Sequence, residues 1–317
     1  MTAVQSPLSR DARIYVAGHR GLVGGAIMRR LQAEGFNHLI TRTSAELDLR
    51  DQAAVRAFFA QEQPEYVFLA AAKVGGILAN STYPAQFLYD NLMIATNVIN
   101  AAHESGVRKL LNLGSSCIYP RLAPQPLKEE YLLTGPLEET NRAYAVAKIA
   151  AIELCDHYRT QYGSDFISGM PTNLYGPGDN FDLKGSHVLP ALMRKMVEAK
   201  ESGAPQVEVW GSGTPLREFL YVDDLADACL YLMERVSEAG PINIGTGHDL
   251  TIRELAMLIA EIVGYEGQLA FDASKPDGTP RKLMDVSKLS NLGWSAQTEL
   301  REGIEKTYKW FKSQNYK

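Results

Sequence analysis

The chain has 317 residues, 45% of them hydrophobic and 22% charged, and a formal net charge of −5. That length buries a large core in one large or two intimately joined domains, and the acidic balance leaves no electrostatic footprint for nucleic acid. No run approaches the ~20 apolar residues of a membrane span. The polar start Met1-Thr2-Ala3-Val4-Gln5-Ser6-Pro7 lacks a signal-type apolar stretch, and residues 1–11 read as a flexible tail. Three scattered cysteines, Cys117, Cys155 and Cys229, read as neither a disulfide framework nor a metal site. They point to a reducing, cytoplasmic setting.

Arg13–Ala17 reads as a strand, and Leu22–Glu34 as a helix carrying Val23, Ile27 and Leu31 on one face and closed by Gly35. His38–Arg42 is a second strand. Asp51 can N-cap a helix that runs to Glu62 and buries Val55, Phe58 and Phe59. Strand Tyr66–Ala71, helix Ala85–Ser105, strand Lys109–Gly114, helix Arg142–Tyr162 and strand Phe166–Met170 follow. This alternation predicts an α/β fold, a doubly wound parallel sheet covered on both faces, with ligands outside the carboxyl ends of the strands.

Beyond Asn173 the pattern loosens. Tyr175–Asn180 is turn-rich, His187–Lys200 reads as a helix with Pro190 in its first turn, and Val207–Trp210 as a short strand. Residues 219–245 return to the sheet through helix Val222–Arg235 and strand Ile242–Ile244. Helices at 251–264 and 298–313 flank the extended segment Leu269–Asp272. The expected division is a larger domain of 12–173 plus 219–246 and a smaller, discontinuous α/β domain of 174–218 plus 247–317. Substrate is expected in the cleft between them.

Gly18-His19-Arg20-Gly21-Leu22-Val23-Gly24 joins the first strand to the first helix. Glycines there permit a tight turn and the approach of a pyrophosphate to the helix N-terminus, as in a Rossmann dinucleotide site. An NAD site places an acid at the end of the second strand, where this chain has Thr41-Arg42-Thr43-Ser44. Arg42 and Arg20 offer two cations for a 2′-phosphate, which favours NADP(H), and Asp48 can bond the adenine amine.

Gly114-Ser115-Ser116-Cys117 and Tyr144-x-x-x-Lys148 carry the chemistry. A Ser, a Tyr and a Lys in that order suit metal-free reduction of a ketone. Tyr-x-x-x-Lys recurs at Tyr308…Lys312, but no serine-bearing strand leads into that copy, and packing explains it. The i,i+4 spacing puts Tyr144 and Lys148 on one helix face. An ammonium ~4 Å from the phenol is worth about 4 kcal/mol at a dielectric near 20, enough to bring the tyrosine towards neutrality as a proton donor. Of the two serines, Ser116 is the favoured partner of the carbonyl oxygen, although the spacing is ambiguous by one. Cys117 is not needed for hydride transfer. A thiol there implies that a proton moves too.

Residues 13–313 resemble the extended short-chain dehydrogenase/reductases and, within them, the GDP-L-fucose synthases. The strings that carry the resemblance are Ala17-Gly18-His19-Arg20-Gly21, Ala70-Ala71-Ala72-Lys73-Val74-Gly75-Gly76-Ile77, Gly114-Ser115-Ser116-Cys117-Ile118-Tyr119-Pro120, Met170-Pro171-Thr172-Asn173-Leu174-Tyr175-Gly176-Pro177 and Lys275-Pro276-Asp277-Gly278-Thr279-Pro280-Arg281-Lys282. The resemblance implies a bifunctional epimerase–reductase that takes GDP-4-keto-6-deoxy-D-mannose and NADP(H), in a homodimer built on the 85–105 helix and the Ala-rich catalytic helix. It implies Tyr144 and Lys148 as the reductase pair, Cys117 as the catalytic thiol with His187 as its partner acid, and Arg20 as a phosphate contact. It places Asn173, Lys195, Trp210, Arg217, Asp277 and Lys282 around substrate. Leu49, Ala71, Leu113, Gly114, Pro171, Asn173, Leu174 and His187 complete the expected cofactor surface. Two positions depart from the family: Lys195 stands where an Arg can occur, and Ser44 where an Arg can assist the 2′-phosphate.

The chemistry asks for these residue types. A C4 ketone acidifies C3–H and C5–H, and inverting those carbons takes a base on one face and an acid on the other. A thiolate and an imidazole can supply them. The enolate places its charge on the same C4 oxygen that Tyr144, Lys148 and the serine address, so one electrophilic site serves both steps. Lys195, Arg217 and Lys282 supply cations for a diphosphate, and Trp210 a surface for sugar or base. Cys155 and Cys229 sit among apolar helical residues and read as packing. The alternatives are a C4 epimerase, which needs no thiol base, a 4,6-dehydratase, which wants an acidic pair where Cys117-Ile118 stands, and a non-catalytic dinucleotide-binding protein.

Overall fold

The computed structural model describes residues 8–183, 185–275 and 277–314. Most of the expected tail (residues 1–7) and Pro276 lie outside the described residues. Residues 8–11 are not tail. Leu8 is only 6% exposed and joins Ala12 and Ile14 in the core, while Arg10 stacks 4.3 Å over Phe36 and pairs with Glu34 at 3.0 Å.

In chain order the strands are β1 (Arg13–Ala17), β2 (His38–Ile40), β3 (Tyr66–Leu69), β4 (Lys109–Leu113), β5 (Asp165–Pro171), β6 (Asn173–Tyr175), β7 (Gln206–Trp210), β8 (Leu216–Tyr221), β9 (Pro241–Ile244), β10 (Asp249–Thr251), β11 (Gln268–Asp272) and β12 (Arg281–Lys282). The α-helices are α1 (Leu22–Ala33), α2 (Gln52–Glu62), α3 (Ile77–Thr82), α4 (Pro84–Glu104), α5 (Arg142–Tyr162), α6 (Val188–Ser202), α7 (Val222–Arg235), α8 (Ile252–Val263), α9 (Ser287–Asn291) and α10 (Leu300–Ser313). Asp51 caps α2 as expected, its carboxylate accepting from the N–H groups of Ala53 and Ala54.

Strands β2-β1-β3-β4-β5-β9 form one parallel sheet in that order. Alternation decides its faces. Ile14 and Val16 of β1 pack towards α1 and α7, while Tyr15 and Ala17 pack towards α2, α4 and α5. Both faces are thus covered, as a Rossmann-like doubly wound sheet requires. The strand order reverses at β1, so the ligand crevice opens between the carboxyl ends of β1 and β3.

The remaining strands build a smaller layer. β8 is flanked by β10, antiparallel, and β12, parallel, with β6 also pairing to β8; β7 pairs with β11. A second core of α6, α8 and α10 residues, including Met193, Leu255 and Ile304, packs on these strands. Phe219–Tyr221 therefore belong to β8, and the chain rejoins the large sheet only through α7 and β9. Among the described residues no helix is long and apolar enough to cross a membrane.

Replacing Leu8 by Ala should lower the unfolding free energy by about 2–3 kcal/mol, the usual cost of emptying a buried leucine site. A urea midpoint equal to that of the parent chain would show that Leu8 is not a core residue.

Candidate active site

The glycine turn closes on itself and on the end of β3. Gly18 has φ +87°, and a Cβ on it would lie 2.8 Å from the Ala71 backbone. A Cβ on Gly24 would lie 2.2 Å from the Gly18 carbonyl oxygen. Gly21 is the N-cap of α1 and brings no side chain to its free N–H groups. The result is a cradle at the switch point, bare of side chains and lined by amide donors, which fits a pyrophosphate. His19 Nδ1 is buried without a partner at its edge. Burial, and then the neighbouring Arg20, hold the His19 pKa below the usual histidine value.

Arg20 projects from the turn and is exposed. Arg42 is already engaged: its guanidinium donates to Glu62 at 2.5 Å and to the Thr41 carbonyl at 2.8 Å, and lies over Phe58. Five N–H groups leave it donors to spare. Asp48 is clasped by Arg50 at 2.8 and 2.9 Å, and that hydrogen bonding lowers its pKa. Leu113 and Pro171 end β4 and β5, next to Gly114 and two residues before Asn173; Leu49 and Ala71 border the α2/α4 core, and Leu174 lies in β6.

The reductase residues gather at the end of β4, with two departures from expectation. Ser115 rather than Ser116 is the hydrogen-bonding neighbour of Tyr144. Ser116 is 4% exposed and begins a short 3₁₀ turn, Ser116–Ile118, capped by the Ser115 hydroxyl, which accepts from the Cys117 N–H at 3.3 Å. The turn, invisible in the motif spacing, rotates Ser116 away. Secondly, Lys148 does not pair closely with the phenol. Its ammonium donates to the Leu113 carbonyl at 2.7 Å and lies 5.7 Å from the Tyr144 ring centroid. Burial pushes the Lys148 pKa down to about 8. Burial, and then Cys117, push the Tyr144 pKa upward, opposite to the expected fall. At neutral pH Tyr144 is a phenol, a donor that keeps its proton until something takes it.

Cys117 is half-buried, and its sulfur accepts from Asn141 Nδ2 at 3.2 Å and from Lys282 Nζ at 3.4 Å. His187 is the N-cap residue of α6, exposed to the cleft. Crowding by surrounding protein, and then the Lys282 ammonium, lower its pKa. Lys282 thus links the thiol and the imidazole electrostatically. The other cysteines are buried packing residues, and burial pushes the Cys155 thiol up to about 12.

Lys282 lies directly opposite Arg217 in the β12–β8 pair. Like charges facing each other across strands are unfavourable unless an anion sits between them. Arg217 donates to the Asp277 carbonyl at 3.2 Å, while the Asp277 carboxylate holds the Ser212 N–H and hydroxyl, each at 2.8 Å. Asn173 is turned to the Glu218 carbonyl at 2.7 Å. Trp210 is 52% exposed, not a core residue, with Lys195 and Lys275 ammonium groups 5.4 and 5.6 Å from its ring. Sequence reading passed over Lys275 and Asn141. Asn141 immediately precedes the expected helix and carries no motif, and a lysine near an indole becomes visible only when β7 and β11 pair. The Tyr308…Lys312 copy lies on α10 against the second core, with the ammonium 5.0 Å from the ring.

A profile of the NAD dependent epimerase/dehydratase family matches residues 14–245. The chain belongs to this family. It is 62% identical over 308 residues to GDP-L-fucose synthase 1 of Arabidopsis thaliana, covering 97% of this chain and 95% of that protein. It is 57% identical to the GDP-L-fucose synthase of Escherichia coli (strain K12), with 94% and 96% covered. Among solved structures, a GDP-L-fucose synthetase from Naegleria fowleri bound to NADP superposes with a TM-score of 0.90 at 32% identity, covering 99% of this chain and 98% of that one.

Proposed function

We propose that the protein is an NADPH-dependent enzyme that inverts C3 and C5 of GDP-4-keto-6-deoxy-D-mannose and reduces C4, giving GDP-L-fucose. The observation that carries this reading is the placement of Lys282. Its ammonium touches the Cys117 sulfur, depresses His187 and opposes Arg217, while Cys117 acts in turn on Tyr144. A base, an acid, an anion site and a ketone-oxygen donor thus share one cleft, and full-length relatives carry the matching name.

The Gly18–Gly24 cradle would hold the pyrophosphate, and Arg20, with the spare donors of Arg42, the 2′-phosphate. When bound, NADPH supplies the hydride for C4. Lys195, Arg217 and Lys282 face the substrate diphosphate, and Trp210 offers its exposed ring. Burial is the larger cause of the lowered His187 pKa, and a diphosphate against Lys282 would offset the second, the Lys282 charge. Cys117 removes the proton beside the ketone, and His187 returns one to the opposite face. Tyr144, aligned by Ser115, donates to the C4 oxygen while it carries enolate charge and protonates it on reduction. Lys148, a cation below its lowered pKa, adds its field to that oxygen. We assign the assembly as a homodimer through α4 and α5. These helices pack together and expose Tyr89, Val146 and Tyr162, which supports that reading.

Incubation with GDP-4-keto-6-deoxy-D-mannose should oxidise NADPH; an unchanged NADPH absorbance would remove the proposal. In Cys117→Ser, solvent deuterium uptake at C3 and C5 should fall by about 10²-fold or more with NADPH binding unchanged. Exchange at the parent rate would exclude Cys117 as base.

Lys148 is charged below about pH 8 and neutral above it. Hydride transfer should therefore decline as pH rises through that value, and Lys148→Arg, charged throughout, should carry the decline to higher pH. A flat alkaline profile in the parent enzyme would detach Lys148 from the reduction step.

A further inference from the structure

We propose that Asn141 is a positioning residue for the epimerising thiol: its side-chain amide and the Lys282 ammonium form a two-donor cradle that favours negative charge on the Cys117 sulfur and fixes the sulfur beside Tyr144. The inference rests on the proposed role of Cys117 as base and names what prepares it.

Asn141 is the N-cap residue of α5, a place where asparagine ordinarily bonds the free N–H groups of the first turn. Here it makes no such bond. Its backbone has φ −129° and ψ 14°, and Nδ2 points instead to Cys117 Sγ at 3.2 Å. Its Oδ1 is buried without a partner. The side chain thus forgoes a capping bond and leaves an acceptor unmet, both unfavourable for stability, while it holds a sulfur. Lys282, which can only donate, meets the same sulfur at 3.4 Å. The sulfur is therefore an acceptor at both contacts, which suits a thiolate better than a thiol.

The surroundings are arranged to let this act. The cavity bordered by Cys117, Asn141, Glu138 and Lys282 has a volume of ≈10 Å³, about the space of one water. Besides Lys282 three charged groups border it, and each is paired: Glu138 and Arg121 with each other at 3.1 Å, and Arg281 with Asp249 at 2.6 Å. Asn141 itself is fixed by its N–H donating to the Glu138 carbonyl at 3.3 Å, and its 3₁₀ turn, Glu139–Asn141, packs against α3. Chain order then has a consequence: the residue that aims the thiol lies three positions before Tyr144, so the start of one helix sets both the base and the ketone-oxygen donor.

The test is alkylation of Cys117 by iodoacetamide at neutral pH in the ligand-free protein, followed by peptide mass. Cys155 and Cys229, both fully buried, serve as unreactive references. Asn141→Asp keeps the volume and remains a good helix cap, but puts a carboxylate against the sulfur. Alkylation should slow by about fivefold or more, with C3 and C5 deuterium exchange slowed in parallel. A residue that only caps α5 would give the opposite: alkylation and exchange at the parent rate, with Tm held or raised, overturn the proposal. Asn141→Ala, which keeps no donor and adds no charge, should slow alkylation by about two- to threefold, and serves alone should the Asp variant not fold. Alkylation uses no sugar nucleotide. Slowed alkylation in a protein whose parent form shows no exchange would sustain the cradle and remove the proposed substrate.

Discussion

The site depends on one buried carboxylate. Glu218 of β8 is fully buried and pairs with no cation among the described residues; it accepts from the backbone N–H groups of Thr246, Gly247 and Met284 at 2.5, 2.8 and 2.8 Å. Hydrogen bonds to a charged group are worth about 1.5–3 kcal/mol each, and their loss would leave the buried Met284 N–H and the half-buried Thr246 and Gly247 N–H groups unmet. This clamp ties the turn after β9 and the residues just after β12 to β8. The Glu218 carbonyl also receives Asn173 Nδ2, which fixes the start of β6. Through β12 the clamp delivers Lys282 to a thiol 165 residues earlier in the chain. The catalytic turn is built by the large sheet, but its charge is imported by the small one.

Burial and charge then divide the work. Desolvation dominates at Tyr144, Lys148 and His187, and each is pushed towards its neutral form. The cleft without an anion therefore holds a protonated tyrosine and a reluctant histidine beside two opposed cations, Arg217 and Lys282. On the proposed reading, a negatively charged nucleotide sugar would offset those two cations. Binding energy from its diphosphate, remote from the reacting carbons, would then be coupled to the charge state of the proposed acid, His187.

The large sheet was legible because its strands alternate and its helices show a 3.6 period over many residues; Ile14 and Tyr15 go to opposite faces for no other reason. The small sheet was not. β6, β10 and β12 are two or three residues long and exist only by pairing with β8, information no local window contains. Leu8 was misread because one apolar residue in a polar stretch has no period. At the site, residue types were legible and geometry was not. A short 3₁₀ turn decided between Ser115 and Ser116, and a backbone carbonyl, Leu113, drew Lys148 away from the phenol. Asn141 was passed over because nothing in the residues around it points to a sulfur 24 positions earlier.

The central claim is that one oxygen site serves both proton transfer and reduction. Tyr144→Phe addresses it most directly, with deuterium uptake at C3 and C5 measured in the same samples as NADPH oxidation. Both rates are expected to fall together, because the enolate oxygen and the hydride-accepting carbonyl are one atom facing one phenol. Exchange at the parent rate with only NADPH oxidation slowed would contradict the claim and separate the two halves of the site.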